Sequence, residues 1–385
     1  MRRDRFMQIC SIRFCDPYLP STGSLTKEDH FLDVLSHAFR TNYVPGEYIA
    51  VDEFLSKWKR RLKFGQYIPS KRERYGVKLF MCCESCTGYL WRFIIYTGAD
   101  TVYHPPLGVN ASCVFGLYGN PTEVVLSLID GLYESGYKVV VDNYYTSPEL
   151  FLVLYANRTD TFGTVKRKKG LPGDFWQWNP PKEYLNALPP ILPPIVKFCG
   201  PLLAFRWNDA YKSKKTKIVS CLSTKHTGEL VETEKLNFAS KRKVVKPDLI
   251  VEYNSSMGGV DNLSRILNPY SCQRICLKWY PKLTELFFDI CIYNSFVIFK
   301  ELNDTKMSNL DFRIELVNVI ITYHSYTKGK NNLGNKFEKG REQPLRLVER
   351  HFRRQHPQQP KKQKFRSIRC TALGERKETT YFSIM

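Results

Sequence analysis

Positions 138–145 of the chain read Lys138-Val139-Val140-Val141-Asp142-Asn143-Tyr144-Tyr145. An unbroken apolar run of this kind is typical of a strand that is covered on both faces of a sheet, and here it ends in a carboxylate. Positions 48–52, Tyr48-Ile49-Ala50-Val51-Asp52, repeat the pattern. Because the strands of an open α/β sheet bring their carboxyl ends to a common edge, we expect Asp52 and Asp142 to meet there.

The sequence around these runs predicts elements in the order β-β-β-α-β-α. The strands are predicted at residues 48–52, 76–83, 89–98 and 138–142. One helix is predicted at 121–135, where apolar residues recur every three or four positions and Gly136 follows. A second helix begins at Ser147-Pro148-Glu149, with proline in its first turn, and runs to about Asn157.

A third aspartate, Asp261, begins a later helix after Met257-Gly258-Gly259-Val260. Acids on the first and fourth strands and on a later helix are the layout of a ribonuclease H-like nucleotidyltransferase core. The predicted fold class is therefore α/β, with a ribonuclease H-like mixed-sheet core, a β-rich insertion domain and C-terminal helices.

Three carboxylates that meet without a compensating lysine or arginine repel one another, so we expect Asp52, Asp142 and Asp261 to hold divalent cations. Oxygen ligands suit Mg²⁺ or Mn²⁺. Two such ions, roughly 3.5 to 4 Å apart, activate a hydroxyl and stabilise the leaving oxygen of an in-line phosphoryl transfer, which predicts cleavage and joining of DNA strands. Taken singly, each aspartate also fits a structural role at a strand end or a helix N-terminus.

The composition favours a folded protein with a polyanionic partner. Among 385 residues, 58 Lys and Arg against 37 Asp and Glu give a net charge of +21, which favours nucleic acid first and an anionic membrane surface second. A hydrophobic fraction of 43% excludes a mostly disordered chain. We expect no signal peptide and no membrane span. The 12 cysteines favour reduced thiols, and the CxxC spacing of Cys83 and Cys86 is interpreted as turn and strand filler.

Two basic runs are predicted to bind nucleic acid through phosphate contacts. The first lies between the first two predicted strands and consists of Lys57, Lys59, Arg60, Arg61, Lys63, Lys71, Arg72, Arg74 and Lys78. The second consists of Lys166, Arg167, Lys168 and Lys169. Trp58, Phe64 and Tyr67 are candidates to stack on unpaired bases; the alternative is a solvated basic face with aromatic side chains in the core. Residues 361–366 are a candidate nuclear localisation signal.

The segments around the three aspartates resemble the signatures of the piggyBac transposase family. These segments are Val51-Asp52-Glu53 with Tyr67-Ile68-Pro69-Ser70-Lys71, Val141-Asp142-Asn143-Tyr144-Tyr145 with Gly163-Thr164-Val165, and Met257-Gly258-Gly259-Val260-Asp261. The resemblance runs from about Arg5 to Phe382. It implies that Asp52, Asp142 and Asp261 are the catalytic triad and bind two Mg²⁺ (or Mn²⁺) ions, for excision through DNA hairpins and insertion at TTAA targets.

The resemblance also implies a division of the chain. Residues 1–47 are then a remnant of an N-terminal region for DNA binding and dimerisation, and residues 48–170 and 255–302 form the split ribonuclease H-like core. Residues 171–254 form the β-rich insertion domain, 303–345 a helical extension, and 346–385 a basic tail with a truncated cysteine-rich motif.

The chain departs from the family pattern at three places. Ser264-Arg265 stands where members often have Asp-Gln, and a positive side chain one helical turn from Asp261 weakens cation binding. Only 51 residues precede Asp52, so the resemblance implies that most of the family's N-terminal region is missing. Cys370 lacks the further cysteine pairs of the family's zinc domain, so no zinc is expected.

We therefore predict a piggyBac-type transposase-derived protein whose DNA cleavage and transfer are reduced or non-autonomous. The alternative is a catalytically inert, domesticated protein that binds DNA or associates with chromatin. The expected partners are DNA and either a second copy of the chain or an intact related transposase, with no membrane and no small-molecule cofactor. The expected location is the nucleus.

Overall fold

A computed structural model describes most of the chain. The described residues are 29–69, 71, 73–99, 101–104, 120–167, 170–177, 194–209, 217–236, 243–271, 278–331, 368–370 and 377–379. Those up to Asp304 form one compact unit, and those from Thr305 form a second. The candidate nuclear localisation signal at 361–366 lies outside the described residues.

The centre of the first unit is a sheet of nine strands. They are β1 (Tyr48–Lys57), β2 (Gln66–Tyr67), β3 (Tyr75–Glu84), β4 (Leu90–Ile95), β5 (Lys138–Val141), β6 (Asp160–Thr164), β7 (Ile195–Cys199), β8 (Leu202–Asp209) and β9 (Lys217–Ser223). Their order is β2-β3-β1-β5-β6-β9-β8-β7, with β4 also paired to β3. The neighbours β1, β5 and β6 are parallel, and the remaining pairs are antiparallel. The predicted α/β fold with a mixed sheet is confirmed.

Two further strand pairs and eight α-helices complete the described part of the chain. The pairs are β10 (Leu230–Leu236) with β11 (Lys243–Pro247), and β12 (Ile368–Cys370) with β13 (Lys377–Thr379). The helices are α1 (Asp29–Thr41), α2 (Asn120–Leu128), α3 (Pro148–Ala156), α4 (Gly173–Gln177), α5 (Asp248–Ser256), α6 (Gly259–Leu267), α7 (Trp279–Asn303) and α8 (Asn309–Asn331), with a 3₁₀ turn at Asn268–Tyr270. None of the described helices is both long and apolar enough to cross a membrane.

The apolar runs that predicted β1 and β5 form the core of the sheet. Residues 49–51 and 139–141 are fully buried, which explains why both strands are apolar on their two faces. Helix α7 packs against β4, where the Phe287 and Phe93 ring centroids are 4.4 Å apart and the buried Asn294 bonds the backbone N–H and C=O of Leu90. The polar position inside the apolar helix thus ties α7 to the sheet.

Helix α2 ends seven residues earlier than the predicted limit of residue 135. The predicted periodicity continues, but the backbone turns left-handed at Gly131, Glu134 and Gly136, with φ of 97°, 58° and 80°. A right-handed helix cannot pass through such conformations. By contrast, α3 begins as predicted, because the Ser147 hydroxyl accepts a hydrogen bond from the Leu150 N–H and Pro148 occupies the first turn.

The segment 171–254 contributes strands to the central sheet as well as a pair of its own. Strand β9 pairs with β6, and β8 and β7 follow, so these three strands extend the sheet that contains β1 and β5. The hairpin of β10 and β11 leads directly into α5. Through this connection, the β-rich segment places α5 and α6 beside the core strands.

A buried polar network joins the end of β9 to α5. The Ser223 hydroxyl lies 2.7 Å from Nδ1 of His226, and Nε2 of the same ring lies 3.1 Å from a carboxylate oxygen of Glu252. Because a carboxylate accepts, Nε2 carries the proton and Nδ1 accepts from the serine. Lys225 adds an ion pair to Glu252. The network fixes the position of α5 relative to the end of β9.

Candidate active site

Two of the predicted aspartates lie side by side at the edge formed by β1 and β5. Val51 and Val141 are paired in the parallel register, so Asp52 and Asp142 occupy the next positions of neighbouring strands. Strands in this register are about 4.8 Å apart. The expectation that Asp52 and Asp142 meet is therefore confirmed by the register alone.

Gly163 makes this edge compact. Gly163 lies on β6 and pairs with Val141 of β5. A Cβ atom at this glycine would collide with the Val141 carbonyl oxygen and lie 2.7 Å from the Thr146 hydroxyl. Thr164 follows, and its hydroxyl donates to Asp142 Oδ1 across 3.3 Å, while the Asn143 amide donates to the same oxygen across 2.8 Å. These two bonds orient the Asp142 carboxylate.

Helix α6 carries the third aspartate to the same edge. Its first residue, Gly259, packs so closely on the sheet that a Cβ atom would lie 3.0 Å from the Glu84 carbonyl oxygen and 3.1 Å from Ala50 Cβ. Glycine therefore lets the helix lie directly on β1 and β3. Asp261, two residues later, remains 77% exposed, whereas the side chain of Asp52 is 11% exposed.

The three aspartates line one cavity of about 440 Å³. The other lining residues are Glu53, Lys71, Tyr253 and Met257. The Glu53 backbone N–H donates to Asp52 Oδ1 across 2.7 Å and so orients the Asp52 carboxylate. Three segments that are far apart in sequence thus deliver carboxylates to a single concave space.

The expectation that no lysine or arginine compensates these carboxylates is wrong. Lys71 Nζ lies 3.2 Å from Asp52 Oδ2 and 3.9 Å from Asp261 Oδ1. Within the described residues, no three His, Cys, Asp or Glu side chains are gathered as ligands of one metal ion. The contact could not be predicted from the sequence, because Lys71 lies 19 residues after Asp52 on a loop that brings it to the edge of the sheet.

Burial and charge act in opposite directions on this ion pair. Burial raises the pKa of Asp52, and the nearby Lys71 ammonium opposes that rise. Burial also works against the charge of Lys71, but the carboxylates of Asp52, Glu53 and Asp261 together raise its pKa. Lys71 therefore keeps its charge at neutral pH, whereas the net rise in the pKa of Asp52, to about 7, leaves that nearly buried carboxyl only partly ionised there.

Most of the predicted basic residues are exposed. These are Lys59, Arg60, Arg61, Lys63, Arg74, Lys166 and Arg167. Lys57 instead forms an ion pair with Glu73 at 2.8 Å, and Lys71 lies in the cavity. Arg72, Lys168 and Lys169 fall outside the described residues.

Lys78, also predicted to bind phosphate, lies above three aromatic rings. Its ammonium is 4.4 Å from the ring centre of Phe80, 5.4 Å from Tyr96 and 5.1 Å from Tyr144. Cation–π contact of this kind holds the side chain against the sheet. Burial lowers the pKa of Lys78. The residue therefore belongs to the packed support of the site.

The three candidate stacking residues divide between core and surface. Trp58 and Phe64 are buried, and the Phe64 ring meets Trp279 edge-on at 5.3 Å, so the alternative interpretation as core residues is correct for both. Tyr67 is 60% exposed and remains available for stacking. Of the CxxC pair, Cys83 is buried and Cys86 is exposed.

Two lining residues, Tyr253 and Met257, were not predicted as part of the site. Tyr253 lies on α5 and Met257 follows that helix directly, whereas Asp261 lies on α6, so the turn between the two helices brings them to the cavity and no periodicity of the sequence identifies them. The Tyr253 hydroxyl lies 3.4 Å from that of Thr164, which itself bonds Asp142. Arg265, expected to weaken cation binding at Asp261, instead donates to Asn262 Oδ1 at 3.2 Å.

Comparison with known proteins agrees with this geometry. A family described as Transposase IS4 matches residues 1–296. Human PiggyBac transposable element-derived protein 3 is 25% identical over 344 residues, which cover 85% of this chain and 53% of that protein. Human PiggyBac transposable element-derived protein 2 is 23% identical over 354 residues, which cover 88% of this chain and 55% of that protein.

A solved structure is also similar. The cryo-EM structure of a piggyBac transposase synaptic complex with hairpin DNA matches with a TM-score of 0.66 and 25% identity, over 87% of this chain and 66% of that one. The chain spans about half the length of the curated relatives it matches. Because the family match runs through all three aspartate segments, this chain belongs to the transposase IS4 family and, within it, to the piggyBac-derived proteins.

Proposed function

We propose that this chain cleaves and joins DNA strands at the cavity formed by Asp52, Asp142 and Asp261. The observation that carries this proposal is that the three carboxylates come from three separate segments and line one cavity. A structural role for each aspartate alone does not explain why all three converge. The solved piggyBac transposase complex with hairpin DNA supports DNA as the partner.

Transposases of this kind generally use divalent metal ions, and the residues present fit such an ion. The donors are carboxylate oxygens, which are the ligands that Mg²⁺ and Mn²⁺ prefer. Asp52, Asp142 and Asp261 would hold two ions, which when bound supply an activated hydroxyl and stabilise the leaving oxygen. Within the chain itself, Asn143 and Thr164 fix the orientation of the Asp142 carboxylate.

The exposed basic residues support a DNA path toward the cavity. Lys166 and Arg167 come two and three residues after Thr164, the last residue of β6, whose hydroxyl bonds Asp142. Phosphate contacts from such residues bind without regard to sequence and bring strands to the carboxylates. We also propose the nucleus as the compartment, and a second copy of the chain or an intact related transposase as the further partner.

The direct test is Mn²⁺-dependent nicking and strand transfer on a short duplex that contains TTAA. We expect activity in the unmodified chain, and a loss of at least about a hundredfold in Asp52→Ala, because the substitution removes a ligand of the ions that would stabilise the leaving oxygen. Asp33→Asn, at an exposed carboxylate of α1, is the matched control and retains activity. Equal activity of Asp52→Ala and the unmodified chain contradicts the proposal.

The second candidate function is an inert DNA-binding protein, and Lys71 is the observation that favours it. An ammonium that neutralises Asp52 and Asp261 removes the repulsion that metal binding would otherwise relieve. Ser264 at the family's usual aspartate position points the same way. DNA binding without nicking, in both the unmodified chain and Asp52→Ala, would select this function.

A further inference from the structure

Lys71 is held in place by its loop. Its backbone N–H donates to the Ile68 carbonyl across 3.3 Å, and the Ile68 N–H donates to the Arg74 carbonyl across 2.8 Å. The side chain that leaves this turn is 24% exposed and ends beside Asp52 and Asp261. The hydrogen bonds of this turn thus fix the position of the Lys71 ammonium.

A second cavity beside the site could accept the Lys71 ammonium. A second cavity, of about 410 Å³, shares Glu53, Lys71 and Asp261 with the aspartate cavity, and its wall includes Glu73 and Asp289. Lys57, which pairs with Glu73, and Lys282 also line this cavity, but its four carboxylates still outnumber its three ammonium groups when Lys71 is included. A short rotation of the flexible lysine stem therefore moves the charge from one cavity to the other without loss of acidic neighbours.

We propose that Lys71 is a displaceable counter-ion of the metal site. It neutralises Asp52 and Asp261 in the metal-free protein and moves to the second cavity when divalent cations take the carboxylates. The proposal rests on the function proposed above, since it requires that metal ions bind the aspartates. A lysine in this role competes with the metal, because two positive charges cannot share the same carboxylate oxygens without strong repulsion.

The test is isothermal titration of Mn²⁺ into the DNA-free protein, which measures binding apart from activity. Lys71→Met keeps the length of the side chain and removes its charge, so we expect Mn²⁺ to bind at least about tenfold more tightly. Lys71→Arg keeps the charge and remains close to the unmodified chain. Lys59→Met is the matched control, because Lys59 is exposed and lines neither cavity.

Thermal unfolding gives a second readout. An ion that binds only the folded chain stabilises it by RT ln(1 + c/Kd), where c is the free ion concentration, so a lower Kd in Lys71→Met makes the rise in Tm with Mn²⁺ larger than in the unmodified chain. Lys71→Gln serves as a second uncharged variant if the methionine variant does not fold. A rise no larger than that of the unmodified chain in both variants overturns the proposal.

The outcomes separate this inference from the proposed function. One outcome is that Asp142→Asn loses Mn²⁺ binding, while the unmodified chain and Lys71→Met bind Mn²⁺ equally tightly. This outcome overturns the counter-ion role of Lys71 and supports the metal site. Absence of Mn²⁺ binding in the unmodified chain and in Lys71→Met overturns both. Tighter binding in Lys71→Met, absent from Lys59→Met, supports both.

Discussion

At the scale of single residues, Gly163 sets how closely β5 and β6 approach beside Asp142. We expect Gly163→Ala to lower the free energy of unfolding by about 1–3 kcal/mol, because its Cβ collides with the backbone of Val141. Urea unfolding measures the change. Gly173→Ala is the control, since no atom lies within 4 Å of a Cβ there, and it leaves stability nearly unchanged. Equal stability of the two variants would contradict this account of the edge.

The site residues that the sequence predicted are those whose position follows from strand order. Asp52 and Asp142 end or interrupt buried runs, so the parallel register places them together. Lys71 was predicted to contact phosphate and not Asp52, because its position depends on the path of a loop between β2 and β3. No periodicity describes such a path, and side-chain length lets a lysine reach several neighbours.

At the scale of elements, the network of Ser223, His226 and Glu252 joins β9 to α5, and it predicts a pH dependence of stability. Burial lowers the pKa of His226 below its ordinary 6.5, although Glu252 and Asp248 oppose this and Lys225 reinforces it. The unfolded chain therefore takes up the proton first as pH falls. Stability contributed by the neutral ring is complete above about pH 6.5 and declines below it.

We therefore expect the free energy of unfolding to fall between about pH 6.5 and 5, and to fall less steeply in His226→Gln. Urea unfolding of both chains across this range measures the difference. Other groups also titrate in this pH range, but their contributions to the free energy of unfolding cancel in the difference between the two chains. A difference that does not change with pH would show that the ring contributes nothing through its protonation.

Helices and strands were predicted correctly where a single hydrophobic or capping pattern dominates the local sequence. They were mispredicted where the backbone conformation of a few residues decides where an element ends. The apolar runs of β1 and β5 and the Ser147-Pro148 start of α3 needed only local information. The end of α2 depends on left-handed residues such as Glu134, which periodicity does not reveal. The pairing of β9 with β6 is a contact between distant segments, so the β-rich stretch gave no sign that it extends the central sheet.

At the scale of the whole molecule, the charge of +21 predicts DNA binding that weakens steeply with salt. Replacing the exposed Lys166 and Arg167 by alanine lowers the slope of log affinity against log salt concentration by up to about two, one for each lost phosphate contact. Fluorescence anisotropy with a labelled duplex measures it. Lys57→Ala with Lys225→Ala is the control pair, because both lysines already pair with glutamates. An identical slope in all three proteins would exclude Lys166 and Arg167 from the DNA path.

The central pairing of β1 with β5 joins residues about ninety positions apart, as with Val51 and Val141. During synthesis at about 5–20 residues per second, β1 pairs with β3 seconds before β5 leaves the ribosome. Until then the apolar residues 49–51 of β1 lie at an open strand edge, the kind of edge that recruits other strands. The cavity is complete only after the segment that carries Asp261 has also been synthesised, so it forms after the pairing of β1 with β3.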